Sequence, residues 1–184
     1  MPLSQGLVHP AIQPLDQQAP ESEDEKSCHK AVQTFYSWYF DELDKSDKGV
    51  KVDAQSSVLR IKPSLLSSEL EQLLEEDQKA EASNPGYIVG LDFDPFLNAQ
   101  DWDGRYQVTS VSVVAGTCKA AVSGRDAGKS RDLVMPELKK DNGRWIFVNF
   151  HYPDITNPTD ENLISELKSL RAERENQKTK GAHK

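Results

Sequence analysis

Histidine, cysteine and long apolar runs are all scarce here, and each shortage removes a class of protein. Only four histidines and two cysteines occur in 184 residues. No stretch approaches the ~20 consecutive apolar residues of a membrane span. No early basic cluster leads into an apolar core, so no secretory signal is read at the N-terminus. Cys28 follows Glu25-Lys26-Ser27, which is not the apolar setting of a lipoprotein cysteine. Lys and Arg total 22 against 30 Asp and Glu, a net charge of −8. The middle of the chain has no basic face, which excludes nucleic acid as a partner. Cys28 and Cys118 match neither a metal knuckle nor a Cys-x-x-Cys redox pair. Two readings stay open for them: one disulfide outside a reducing compartment, or two buried thiols. No nucleophile elbow, phosphate loop, paired metal-binding histidines or catalytic Ser/Cys signature is present.

What the chain does contain falls into three parts. Residues 1–27 carry Pro2, Pro10, Pro14 and Pro20 and then the acidic run Glu21 to Glu25. Such a segment buries too little to offset its ordering entropy, so it reads as a disordered lead. Residues 28–156 read as an α+β domain, and residues 157–184 as a C-terminal helix with a frayed tail.

Periodicity supplies the elements of the middle part. Val32, Phe35, Tyr36, Tyr39, Phe40 and Leu43 form one wide apolar stripe at helical spacing, predicting a helix from about Cys28. Val58 to Ile61 reads as a short extended piece before Pro63. Ser68, three residues before Glu71, suggests a capping box, with Leu70, Leu73 and Leu74 on the helix that follows. From Tyr87 to Gly104 there is no period, Pro95 interrupts, and an ordered loop packed by its own aromatics is expected. Four strands follow, with Tyr106, Val108, Ser110, Ser112 and Val114 on one face of the first. Trp145, Phe147 and Asn149 alternate with Ile146, Val148 and Phe150 along the last. Asp141-Asn142-Gly143 is a strong hairpin signal. A last helix is expected from Asn157, with Pro158 in its first position and Asp160 at its third. The fold class is therefore α+β: a curved antiparallel sheet of about four strands packed by N-terminal helices, plus a C-terminal helix.

Four segments carry a resemblance: Phe35-Tyr36-Ser37-Trp38-Tyr39, Leu65 to Leu70, Asp92-Phe93-Asp94-Pro95-Phe96-Leu97 and Gly143-Arg144-Trp145. Together they resemble a bacterial family of unknown function that is similar to the nuclear-transport-factor-2-like superfamily. The resemblance covers roughly Cys28 to Tyr152. It implies a cone-shaped α+β domain, a small bacterial protein often exported to the envelope, and no assigned reaction. The chain departs from that pattern in lacking a visible signal peptide. Fold alone does not decide function in such a scaffold, whose cone serves some members as a pocket and others as core.

Several constellations bear on chemistry. Asp92, Asp94, Asp101 and Asp103 cluster on the loop as candidate calcium ligands, because calcium takes six to eight hard oxygens. Phe96 and Leu97 break the EF-hand pattern, and turn-capping is the commoner use of such aspartates. Asp94, Asp101 and His151 are the candidate acid/base residues, a role that requires burial beside a pocket. His151 ends the last strand, His29 opens the first helix, and His9 and His183 lie in the tails. Tyr36, Tyr39, Phe96 and Trp102 are the candidate lining of a ligand pocket, with Trp38 as a further polar handle. Arg60, Arg105 and Arg144 offer anion-binding groups that surface pairing explains equally well. The expectation is a non-catalytic binding or interaction module, holding a small molecule, peptide or protein in the cone or on the sheet. An acid/base enzyme using the loop aspartates or His151 on a small substrate is the alternative. No obligatory cofactor is expected, and a homodimer through the open sheet face fits the pattern.

Overall fold

The computed structural model describes residues 21–49, 53–87, 89–101, 103–126, 129–153 and 161–181. Its elements are α1 (Glu23–Asp47), α2 (Ala54–Arg60), α3 (Ser68–Ser83), β1 (Asp103–Val114), β2 (Thr117–Asp126), β3 (Lys129–Asp141), β4 (Arg144–His151) and α4 (Leu163–Gly181). The strands form one antiparallel sheet in the order β1-β2-β3-β4. This is the α+β architecture expected, including its C-terminal helix. No helix among the described residues is long and apolar enough to cross a membrane.

Part of the acidic stretch assigned to the lead opens α1 instead. Ser22 Oγ accepts from the Glu25 amide at 3.2 Å, and Glu25 Oε2 accepts from the Ser22 amide at 2.7 Å. That reciprocal box satisfies two donors left without intrahelical partners. Glu23, Asp24 and Glu25 also favour the positive end of the helix dipole. The rest of the lead, residues 1–20, lies outside the described residues. Val58 to Ile61 is not extended, because Asp53 caps a short helix by accepting from the amides of Gln55 and Ser56. The extended backbone begins only at Ile61. The cap of α3 is Ser67, one residue earlier than predicted. Asn162 caps α4, its side chain accepting from the Ser165 amide at 3.0 Å. The predicted start at Asn157 lies outside the described residues. Beyond Arg174 the helix continues to Gly181.

The two hairpin turns among the described residues use left-handed backbone, Asn142-Gly143 as predicted and Ala115-Gly116 with an alanine at φ 49°. Two irregularities correct the predicted faces of β1 and β4. Val108 pairs with Val122 and Ser110 with Ala121, so Thr109 is an extra residue. A bulge of this kind reverses which side chains face inward. Tyr106 and Val108 point into the core before it, and Val111 and Val113 pack on the core after it. In β4, Phe147 pairs with Leu138 and Asn149 with Glu137, which leaves Val148 extra. Phe150 thereby joins Phe147 on the core side, their rings stacked with centroids 5.3 Å apart.

α1 lies across the sheet and is joined to it by a disulfide from Cys28 to Cys118 on β2, which settles the two readings of these cysteines. Residues 64–67 run beside the β4 edge as a one-bridge parallel addition. The Ser67 amide donates to Phe147 O and the Phe147 amide to Leu65 O, each at 2.8 Å. α4 packs through Leu163 and Leu167, both buried. Its Arg174 donates to Asp77 Oδ1 at 2.6 Å and to Val89 O at 2.9 Å, tying α4 to α3 and to the following loop.

Candidate functional site

Two aromatic regions share α1, and their geometry differs. The first is interior. Four of the five tyrosines grip consecutive residues of the loop before β1. The hydroxyl of Tyr39 donates to Asp94 Oδ2 at 2.6 Å. Those of Tyr152, Tyr36 and Tyr106 donate to the carbonyls of Pro95, Phe96 and Leu97 at 2.9, 2.9 and 3.2 Å. Asp94 Oδ1 in turn accepts from the amides of Phe96 and Leu97 at 2.9 and 3.2 Å. Apolar loop residues are thus drawn inward without stranding their backbone, which would otherwise cost a lost hydrogen bond per group. Phe96 and Leu97 are fully buried, with Phe96 edge-on to Tyr39 and Phe150. Burial pushes the Asp94 carboxyl up from 3.8 to about 6, against the three donors, which favour the charged form. Burial, reinforced by the Asp94 charge, pushes Tyr36, Tyr39 and Tyr152 well above the ordinary phenol value.

Tyr36, Tyr39 and Phe96, expected as the lining of a pocket, lie together in a packed core in which both tyrosine hydroxyls have protein partners. Trp102, expected beside them, lies outside the described residues, as does the side chain of Asp103. Asp92 and Asp101 are exposed, whereas Asp94 turns inward. Among the described residues no group of three or more His, Cys, Asp or Glu is placed to hold a metal ion. His151 bonds Glu137 Oε2 through Nε2 at 3.0 Å, and Lys119 lies 3.6 Å from the same oxygen. His151 and Asp94 thus have different partners, Glu137 for the first and Tyr39 with the loop amides for the second. The three arginines are also scattered. Arg105 pairs with Asp41 and Asp44 at 2.8 and 2.7 Å, Arg60 bonds Ser56 O, and Arg144 reaches Ser64 O.

The second region is an open groove of about 620 Å³ on the other flank of α1. Buried Phe35, Trp145 and Phe147 form its floor. Ala31 and Trp38 of α1 face Ile61 and Leu65, the segment held beside β4, across partly exposed walls. Ser27, Lys30 and Thr34 stand at its mouth. Ser27 Oγ fixes the floor by accepting from the Trp145 indole at 2.9 Å. Lys140 lies over the same indole, 5.0 Å from its centroid, and is neutralised by Asp24 at 2.5 Å. The volume and the predominantly apolar, aromatic wall match what small-molecule sites use. Of its residues, only Trp38 was offered by the sequence as part of a pocket wall. Ile61, Leu65, Trp145 and Phe147 come from distant segments, and the misreading of Val58 to Ile61 hid one wall.

No family model, curated protein or solved structure matches the chain.

Proposed function

We propose that this protein is a non-catalytic binding module, and that it holds an apolar small molecule or peptide in the groove along α1. The observation that carries this reading is the coexistence of two tryptophans and five other apolar side chains on one concave surface. Elsewhere among the described residues the exposed large apolar side chains are Tyr87 and Val114. A contiguous concave apolar surface is what binding sites use, whereas single exposed apolar residues are ordinary. On this reading the ligand surface lies on the flank of α1 away from the filled interior. Titration with N-phenyl-1-naphthylamine, a neutral apolar fluorophore, tests the proposal. Saturable binding that Trp38→Ala weakens at least about tenfold, with the fold intact, supports it. Absence of saturable binding overturns it.

The acid/base reading has one observation in its favour, the raised Asp94 carboxyl. Both its oxygens are engaged by Tyr39 and loop amides, so a substrate must displace protein donors to reach it. The loop aspartates enter the proposal as turn-formers, with Gln100 Nε2 closing the loop on Asp92 O at 3.0 Å. Thermal unfolding with excess calcium and then chelator checks that role. An unchanged midpoint is expected. A calcium site at a hundredfold excess over its Kd would add ~2.7 kcal/mol, a rise of several degrees.

A further inference from the structure

From the charge at the mouth of the groove, and resting on the binding reading above, we infer the class of ligand: an apolar monoanion, such as a long-chain or aryl carboxylate. The groove has ten lining residues, and Lys30 is the one charged member. No aspartate or glutamate lines it, in a chain whose net charge is −8. Lys30 has no ion-pair partner among the described residues, unlike neighbouring Lys26 and Lys140, which pair with Glu23 and Asp24. The hydroxyl of Thr34, one turn along α1 from Lys30, also stands at the mouth without a hydrogen-bond partner among the described residues. An ammonium and a hydroxyl on one helical ridge suit a carboxylate, which takes a charge-assisted bond from one and a neutral bond from the other. Below them the surface is aliphatic and aromatic down to Trp145 and Phe147, a floor that gives a charged group no hydrogen-bond partner. The ligand therefore lies with its carboxylate at Lys30 and its apolar tail along Trp38, Ile61 and Leu65.

The arrangement distinguishes this ligand from a neutral apolar one and from a cation. A neutral molecule gains the floor and loses the mouth. A cation meets Lys30 at the only place where a charge stays wet. Because the pair at the mouth is exposed, its contribution is modest and salt-sensitive, and the apolar floor carries most of the affinity.

The test uses a matched pair, dodecanoate and 1-dodecanol, titrated below their aggregation range while tryptophan fluorescence is read. Dodecanoate should bind about three- to tenfold more tightly, with the advantage shrinking as salt is raised. Lys30→Gln should erase that advantage by weakening dodecanoate much more than dodecanol. Trp38→Ala should weaken both ligands together. Equal affinities in the parent protein overturn the anion class and leave the groove standing. Binding of neither ligand overturns the groove as well. Light scattering then separates a second copy of the chain seated on the groove, seen as a dimer, from closure by chain outside the described residues, seen as a monomer.

Discussion

The two flanks of α1 carry similar aromatic residues and have opposite fates. On one flank, Tyr36 and Tyr39 are buried, ringed by other aromatics, and committed through their hydroxyls to Asp94 and Phe96. On the other, Trp38 is partly exposed above an open floor, and the charge at the mouth of the same groove, Lys30, is unpaired among the described residues. Phe35 sits between them, 5.7 Å from Tyr39 and 4.7 Å from Phe147. Aromatic content does not tell core from binding surface. Completeness does: a core satisfies each of its polar tips internally, while a binding surface leaves some for a partner.

The first way to break the comparison is to remove what holds both flanks. The disulfide closes a loop of 90 residues and fixes α1 to β2. The double variant Cys28→Ser/Cys118→Ser should lose about 4–5 kcal/mol in denaturant unfolding, and groove binding should fall only as far as the fold does. Next comes the filled flank alone. Phe96→Ala should cost about 3–5 kcal/mol, because it leaves a cavity where Tyr39 and Phe150 meet. A cost below 1 kcal/mol would mean that the interior is not packed as described.

Asp94 sharpens the contrast through pH. Its folded-state value of about 6 lies above its ordinary 3.8, so the folded state holds the proton more tightly. Its contribution to stability is thus full below pH 3.8 and is lost as pH rises through about 6. Asp94→Asn should remove that dependence and gain about 1–3 kcal/mol relative to the parent protein across the window, read from unfolding at each pH. A parent protein that instead gains stability from this group across the same window would mean that the three donated bonds outweigh burial. The smallest expected effect on stability is that of Trp38→Ala on the open flank, under about 1.5 kcal/mol, although it should abolish most ligand binding.

Much of the fold was legible because the signals were local. The stripe from Val32 to Leu43, the Asn142-Gly143 turn and the four strands each follow from a period or a turn residue read over a few positions. The caps at Ser22 and Asp53 are equally local but were not read, the first because it lies in an acidic stretch taken as a lead and the second because Val58 to Ile61 was taken as extended. The bulges at Thr109 and Val148 were not legible, since one unpaired residue changes the faces without changing the composition. Of the site residues, Tyr36, Tyr39 and Phe96 were expected to line a pocket and Asp94 to act separately, and the structure joins Asp94 to them through Tyr39. Their pairing by hydroxyl and carbonyl, which fills the interior, depends on contacts some 55–60 residues apart in sequence. The groove needed the same kind of long-range knowledge, since Trp38 meets Leu65 and Trp145 only once the chain has folded.

The most direct test of the central claim is a proton–nitrogen correlation spectrum recorded while N-phenyl-1-naphthylamine is added. The account predicts that the indole signals of Trp38 and Trp145 move together with backbone signals of Ala31, Thr34 and Leu65, while those of Phe96 and Leu97 stay in place. Shifts centred on Phe96 and Leu97 with a silent groove would contradict it, and would return the binding site to the interior beside Asp94.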